Sequence, residues 1–462
     1  MTSRGGFSDK FGFIAAAAGS AVGLGSIWKF PFEVGNNGGA AFVLVYILCC
    51  FVLCFPVMVA EVAIGRKTQK NAVGAFDVLG FKSWRIIGVL GIISGVIILS
   101  FYNVVSGWAF GYFIEILKGN FEIGNHFSEF TADITYNSFY SLFFMFMTAY
   151  IVSRGVSAGI EKATKIMMPA LFIMLISLAA YALTLDYAWE GVKFYLIPDF
   201  SKITMPVIYS ALGQAFFSLS LGMGALITYG SYVSKENNII ESPVIIILAT
   251  VGVALIAGLM MFPFVAYNNS GDMTNIPSGP SLIFVTLPKV FESFGAILGI
   301  VVGGFFFLLL SFAALTSTVS LLEVPVAYIV DEYKTNRTAT VWVTAMLIFL
   351  VGIPSMLSAG ASDFFTNFIT YPNASKATDF LSFVDDVAND TFLPLGGFLI
   401  SVFTAYFWKK HNLSAEISSG NSSYAGSWVE TLLNFAISYI CPTILGILFV
   451  LTVLNRFFGI VI

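Results

Sequence analysis

Two short stretches of this 462-residue chain hold the residue types from which a buried binding site can be built. One is Gly19-Ser20-Ala21-Val22-Gly23-Leu24-Gly25-Ser26 and the other is Ser218-Leu219-Ser220-Leu221-Gly222-Met223-Gly224, each at the middle of a long apolar run. A Gly-x-Gly in such a place lets a helix unwind, and unwinding frees backbone carbonyls and N–H groups. Carbonyls with neighbouring hydroxyls can coordinate a small hard cation, while the start of the next helical half offers N–H donors and a positive dipole end to an anion. A zwitterion and Na+ would both be served. The plainer reading is that the glycines only let helices pack closely. Their recurrence at matching places, beside Ser20, Ser26, Ser218 and Ser220, argues against it, because open backbone inside a membrane is tolerated only where it lines a cavity.

The elements that would position these stretches are membrane helices. The chain is 58% hydrophobic and 10% charged, with 22 Lys+Arg against 26 Asp+Glu, and its mean hydropathy is +0.88. So few charges cannot clothe a soluble surface and exclude a disordered chain, a coiled coil or a nucleic-acid binder. Apolar runs of about 20 residues or more fall near 11–33, 39–64, 86–117, 138–153, 164–185, 206–233, 242–267, 294–331, 338–357, 391–408 and 429–456. They are long and continuous, without the short alternating pattern of barrel strands, so the expectation is an all-α integral membrane protein with eleven transmembrane helices and no soluble domain. The first run lacks a small-residue cleavage site and is expected to be retained.

With the N-terminus inside, most of the 22 basic residues, among them Arg66, Lys67, Arg85, Arg154, Lys162 and Lys165, fall on the cytoplasmic side. This predicts a multi-pass protein of the cell membrane with a cytoplasmic N-terminus and an extracytoplasmic C-terminus. Acids such as Glu122, Glu129, Asp133, Asp379 and Asp390 are expected in outer loops. The two glycine motifs lie one five-helix unit apart. That predicts a single transmembrane domain, 1–462, made of inverted repeats 11–185 and 206–408 plus an additional helix 429–456, with the first and sixth helices unwound at mid-membrane. Cys49, Cys50, Cys54 and Cys441 all lie in apolar runs and suit buried small hydrophobes. No catalytic triad, phosphate-cradling loop or metal motif is present, so an enzyme is not expected.

The chain resembles the neurotransmitter:sodium symporter family, in its bacterial amino-acid-transporting branch. The motifs that carry the likeness are Gly19 to Gly25 with Trp28-Lys-Phe-Pro31, Asn37-Gly-Gly-Ala-Ala-Phe42, Glu61-Val-Ala-Ile-Gly-Arg66, Gly213 to Gly222, Ser278 to Phe284 and Ala313-Ala-Leu-Thr-Ser-Thr318. The resemblance implies sodium-coupled symport by alternating access. For the second sodium site it implies the carbonyls of Gly19, Val22 and Ala313 with the hydroxyls of Thr316 and Ser317. Five oxygens without a carboxylate suit a monovalent cation better than Ca2+ or Mg2+.

The first sodium site departs from the family pattern. Ala21 and Ser218 match, but Ser26 and Thr250 stand where the family generally supplies amides, and Ala254 replaces a carboxylate or hydroxyl. One Na+ is therefore expected, two if the first site also fills, and chloride is undecided. The implied substrate pocket is Ala21, Gly23, Gly25, Ile98, Tyr102, Phe217, Ser218, Ser220, Met223, Ser317 and Leu321. It is mainly apolar, with glycine at position 23 leaving room for a substrate carboxylate, which points to a neutral, hydrophobic amino acid. The outer gate would be Lys29 and Asp385 with Tyr102 and Phe217, the inner gate Arg4 and Asp331 with Ser231 and Tyr232. Glu61 would brace the second break, and Glu323 has no assigned role. Proton-coupled or uncoupled exchange on the same fold and a transport-silent amino-acid sensor stay open as alternatives. The expected partners are the amino acid and the bilayer, not nucleic acid, with a monomer sufficient.

Overall fold

A computed structural model describes residues 6–274, 276, 280–372, 374 and 376–460. Thirteen helices organise the chain. They are α1 (Lys10–Ala21), α2 (Gly25–Asn36), α3 (Ala40–Thr68), α4 (Lys82–Leu117), α5 (Ile134–Ser153), α6 (Val156–Ala182), α7 (Met205–Ser218), α8 (Ala225–Gly230), α9 (Glu241–Asn268), α10 (Ala296–Tyr333), α11 (Arg337–Leu357), α12 (Phe380–Phe407) and α13 (Trp428–Phe458). Shorter helices fill the connections, and among the described residues β structure is limited to one isolated bridge between Ile369 and Thr378.

Eight of these helices are long and apolar enough to cross a membrane, nine if α1 and α2 count as one span bent by 49°. The run expected at 138–153 is α5, and the run expected at 206–233 is the broken pair α7 and α8. The last apolar segment before α13 begins earlier than its hydropathy suggests. Asp379 accepts from the Ser382 N–H at 2.9 Å and starts α12 there, so Asp390 lies within a helix and not in the loop expected for it. A carboxylate at an N-cap and in the first turns complements the positive end of the helix.

The broken elements sit against long continuous ones. α10 packs on α1, α4, α5 and α6, while α1 also touches α6 and α9; α7 and α8 both lie along α3. Apolar side chains from nearly every helix form one continuous core around the breaks. All four cysteines are buried and unbridged.

Candidate functional site

α1 ends where its ladder of hydrogen bonds fails. The Val22 N–H still donates to Ala18 (2.6 Å), but the Gly23 N–H turns to the Ala21 carbonyl (3.2 Å). The Gly19 carbonyl thus loses the bond a continued helix would give it. The second break, between α7 and α8, uses positive φ angles at Ser220 (55°), Gly222 (75°) and Gly224 (73°). Two of the three are glycines, the residue that adopts this geometry without a Cβ penalty. Glu61 on α3, fully buried, accepts from the Gly222 N–H at 2.8 Å, so the released donor is satisfied inside the protein.

The breaks face each other across a cavity of about 280 Å³. Its walls are Ser20, Ala21, Gly23 and Gly25 from the first break and Phe217, Ser218, Ser220 and Met223 from the second. Ile98 and Tyr102 of α4, with Ser317 and Leu321 of α10, complete them. Every residue of the expected substrate pocket is in this lining, and none of the lining residues is charged.

Ser20 is the lining residue that the sequence reading omitted. Its hydroxyl lies 3.0 Å from the Ser220 hydroxyl and 2.7 Å from that of Ser320, and its carbonyl accepts from Ser220 (3.1 Å) and Ser317 (3.0 Å). Three segments distant in sequence are tied together at one residue. A hydroxyl inside an apolar helix ordinarily bonds to its own backbone; the glycine motif marks Ser20 as lying at the break, but not which remote groups it meets. On the opposite wall the Tyr102 hydroxyl accepts from the Leu24 N–H at 2.7 Å and keeps its own proton for donation.

The residues expected at the second sodium site converge in part. Thr316 donates to the Ala313 carbonyl at 3.0 Å, and a Cβ placed on Gly19 would lie 3.4 Å from the Thr316 Cβ. Gly19 and Thr316 are therefore packed against each other across α1 and α10, with the Thr316 hydroxyl on the Ala313 carbonyl. Ser317 instead gives its proton to Ser20.

At the first site Ser26 reaches the Ala21 carbonyl at 3.3 Å, and Ser218 accepts from Gln214 at 2.9 Å. Of the four, Ala21 and Ser218 line the cavity and Ser26 and Thr250 do not; the Thr250 hydroxyl donates to Ile246 one turn back along α9, at 2.8 Å.

Lys29 and Asp385 meet at 2.6 Å, and the Lys29 ammonium stands 5.0 Å from the centroid of the Phe217 ring, itself part of the cavity wall. Tyr102 and Phe217 are 6.3 Å apart between centroids. At the other end, Arg4 lies outside the described residues. Asp331 accepts from the backbone and side-chain N–H groups of Asn71 (3.2 and 3.3 Å), and Ser231 donates to Thr228 at 2.5 Å. Tyr232 donates to Glu323 at 2.7 Å, and Arg337 grips both oxygens of Glu323 at 3.1 and 2.5 Å. Glu323, unassigned from sequence, thus belongs to a buried fork-to-fork ion pair that joins α10 to α11.

A helical membrane protein whose two interrupted helices enclose an uncharged cavity, with ion pairs at both ends, is built as a transporter. The family model described as the sodium:neurotransmitter symporter family matches residues 4–139 and 129–457. Among the relatives, the sodium-dependent transporter YhdH of Bacillus subtilis is 39% identical over 426 residues, covering 90% of this chain and 91% of its own length. A sodium-dependent transporter of Haemophilus influenzae is 33% identical over 465 residues, covering 96% and 97%. The crystal structure of MhsT in complex with L-phenylalanine superposes with a TM-score of 0.88 at 41% identity, covering 97% of this chain and 99% of MhsT. The chain belongs to the sodium:neurotransmitter symporter family. It is a multi-pass, sodium-dependent membrane transporter of a small molecule and not an enzyme.

Proposed function

We propose that the protein is a symporter that carries a neutral, apolar amino acid inward with one Na+ by alternating access. The observation that carries this reading is the cavity between the two breaks. Its lining has no charged side chain to compete with a substrate's own carboxylate and ammonium, and Ile98, Phe217, Met223 and Leu321 supply an apolar wall. MhsT, crystallised with L-phenylalanine, supports an aromatic or large aliphatic side chain as the occupant. The carboxylate would receive the Tyr102 hydroxyl and the N–H groups of the first break. The ammonium would lie against the carbonyls and hydroxyls of the second.

Na+ is assigned to Gly19, Val22, Ala313, Thr316 and Ser317, where it would hold α1 to α10; Ser317 would exchange its bond to Ser20 for the ion. The first site (Ala21, Ser26, Ser218, Thr250) is proposed to be weak, since Thr250 is turned to its own helix. Chloride is given no role. Eleven spans in inverted repeats 11–185 and 206–408, with 429–456 added and the N-terminus in the cytoplasm, complete the proposal. The helix breaks and the matching positions of α1 with α2 and α7 with α8 support it.

Uptake of labelled L-phenylalanine and L-leucine into proteoliposomes tests the function. Accumulation that needs an inward Na+ gradient is expected. Uptake indifferent to Na+ would sink the coupling, and absence of uptake with every neutral amino acid would leave the sensor reading in its place.

A further inference from the structure

Away from the transport site, a groove of about 530 Å³ opens where α5 turns into α6, lined by Tyr150, Ile151, Arg154, Lys162, Ala163 and Ile166 among others. Its charge is one-sided. Of the five described arginines, Arg66, Arg85, Arg337 and Arg456 each hold a carboxylate. Arg154 has no carboxylate partner among the described residues, and neither does Lys162. No Asp or Glu lines the groove. The acid adjacent in sequence, Glu161, is buried on another face of the turn, where Ser8 and Lys165 saturate it.

The Arg154 guanidinium lies 4.7 Å from the centroid of the Tyr150 ring and donates to the Tyr150 hydroxyl at 2.5 Å. One aromatic face thus orients a planar donor whose other N–H groups have no protein carboxylate to meet. A planar fork of this kind matches a phosphate oxygen pair, and a lysine adds a point charge.

The groove continues into apolar surface. On α6, Ile166, Ile173 and Ile176 are 64%, 67% and 52% exposed, at a spacing that keeps them on one side of the helix. On α5, Phe139, Phe143 and Phe146 are exposed in the same manner. α5 packs on the first turn of α6, Val156–Glu161, and makes little contact with the rest of it, so beyond the groove the apolar faces of both helices are left exposed. Cations at the mouth and hydrocarbon along the walls are the two halves of a phospholipid site. A free anion would use only the first half.

We propose that this groove binds an anionic glycerophospholipid, with Arg154 and Lys162 holding the phosphodiester and an acyl chain lying along the exposed faces of α5 and α6.

The test uses the purified full chain in detergent with phosphatidylglycerol, phosphatidylcholine or inorganic phosphate, binding being read by native mass spectrometry. Two cations near a headgroup predict that phosphatidylglycerol binds about thirty-fold tighter than phosphatidylcholine. The R154Q/K162Q variant should lose that preference, and K409Q/K410Q, which removes two bases elsewhere, should keep it. R154Q and K162Q alone should each lose part of it, and they carry the test if the double variant does not fold. Na+-dependent substrate binding at wild-type affinity identifies a folded variant. An undiminished preference in R154Q/K162Q, an equal loss in K409Q/K410Q, or phosphatidylcholine bound as tightly as phosphatidylglycerol overturns the proposal. Displacement of the lipid by equimolar inorganic phosphate also overturns it, by assigning the groove to a free anion.

Discussion

Thr316 and Thr250 are both buried threonines on membrane helices, and each donates to a carbonyl of its own helix, Ala313 at 3.0 Å and Ile246 at 2.8 Å. Their surroundings separate them. Thr316 packs against Gly19 near the end of α1, where the Gly19 carbonyl has lost its helical partner, and in the proposed sodium site its hydroxyl would exchange one bond for a share in the ion. Thr250 has no such neighbour in the cavity lining. Thr316→Ala should therefore raise the Na+ concentration needed for half-maximal substrate binding by at least tenfold, about the worth of one charge-assisted contact. Thr250→Val should move it less than about twofold, because a satisfied back-bond contributes little. A Na+ titration of labelled substrate binding distinguishes them, and equal losses would restore the first site to importance. Gly23 is decided by space. A Cβ there would collide with the Ser317 hydroxyl and come within 2.6 Å of the Tyr102 hydroxyl. Gly23→Ala should lower stability by about 1–3 kcal/mol through overpacking and weaken substrate binding by about tenfold or more, because the methyl takes the space where the substrate carboxylate is proposed to sit. Saturation binding checks it.

The broken helices are the element on which the site depends, and they were legible because Gly-x-Gly with flanking serines recurs at matching places in the two halves, which close packing alone does not require. Gly222 and Gly224 do adopt positive φ, and the pocket lining follows once both breaks are placed. What could not be read is what depends on approach between segments remote in sequence. Ser20 reads as a hydroxyl at the first break, but its place in the lining depends on Ser220 and Ser320 being brought to it. Glu323 had no visible partner because Arg337 reaches it only when α10 and α11 fold back on each other. Hydropathy set the start of α12 too late because its first turns are acidic, and there the Asp379 cap outweighs the apolar average. The second break also needs an outside support, which Glu61 supplies through the Gly222 N–H. Removing that acceptor leaves a buried donor unsatisfied, at about 1–3 kcal/mol. Glu61→Ala should lower stability in detergent by that amount, whereas Glu61→Gln, which retains a carbonyl oxygen in the same place, should lose less than about 1 kcal/mol. Thermal unfolding of the two variants checks this, and equal losses would mean that the carboxylate charge, and not the acceptor, holds the break.

At the scale of the whole molecule, two ion pairs of unequal character lie at opposite ends of the proposed transport path. Lys29 and Asp385 are 14% and 24% exposed, while Glu323 is fully buried under an Arg337 that is 25% exposed. If alternating access opens one end at a time, each pair stabilises only the states in which its own end is closed, and it shifts the population by its differential worth. Breaking the partly exposed outer pair should cost less than breaking the inner one, since Asp385 retains some solvent contact and Asn389 already donates to it, whereas Glu323 is fully buried. Removing Arg337 strands a buried carboxylate with Tyr232 as its remaining side-chain donor, and unpaired buried charges cost about 3–5 kcal/mol. Water must then enter the inner end, and conformations open there gain population at the expense of the binding-competent state. Arg337→Gln should therefore weaken apparent substrate affinity by at least tenfold, whereas Lys29→Gln should weaken it by no more than about threefold. The charge-free double variant E323Q/R337Q should recover most of the loss, because neither partner is left ionised inside the protein. Equilibrium binding of labelled substrate at saturating Na+ measures all three. Failure of the double variant to recover would show that the Glu323 carboxylate has a role beyond its pairing with Arg337.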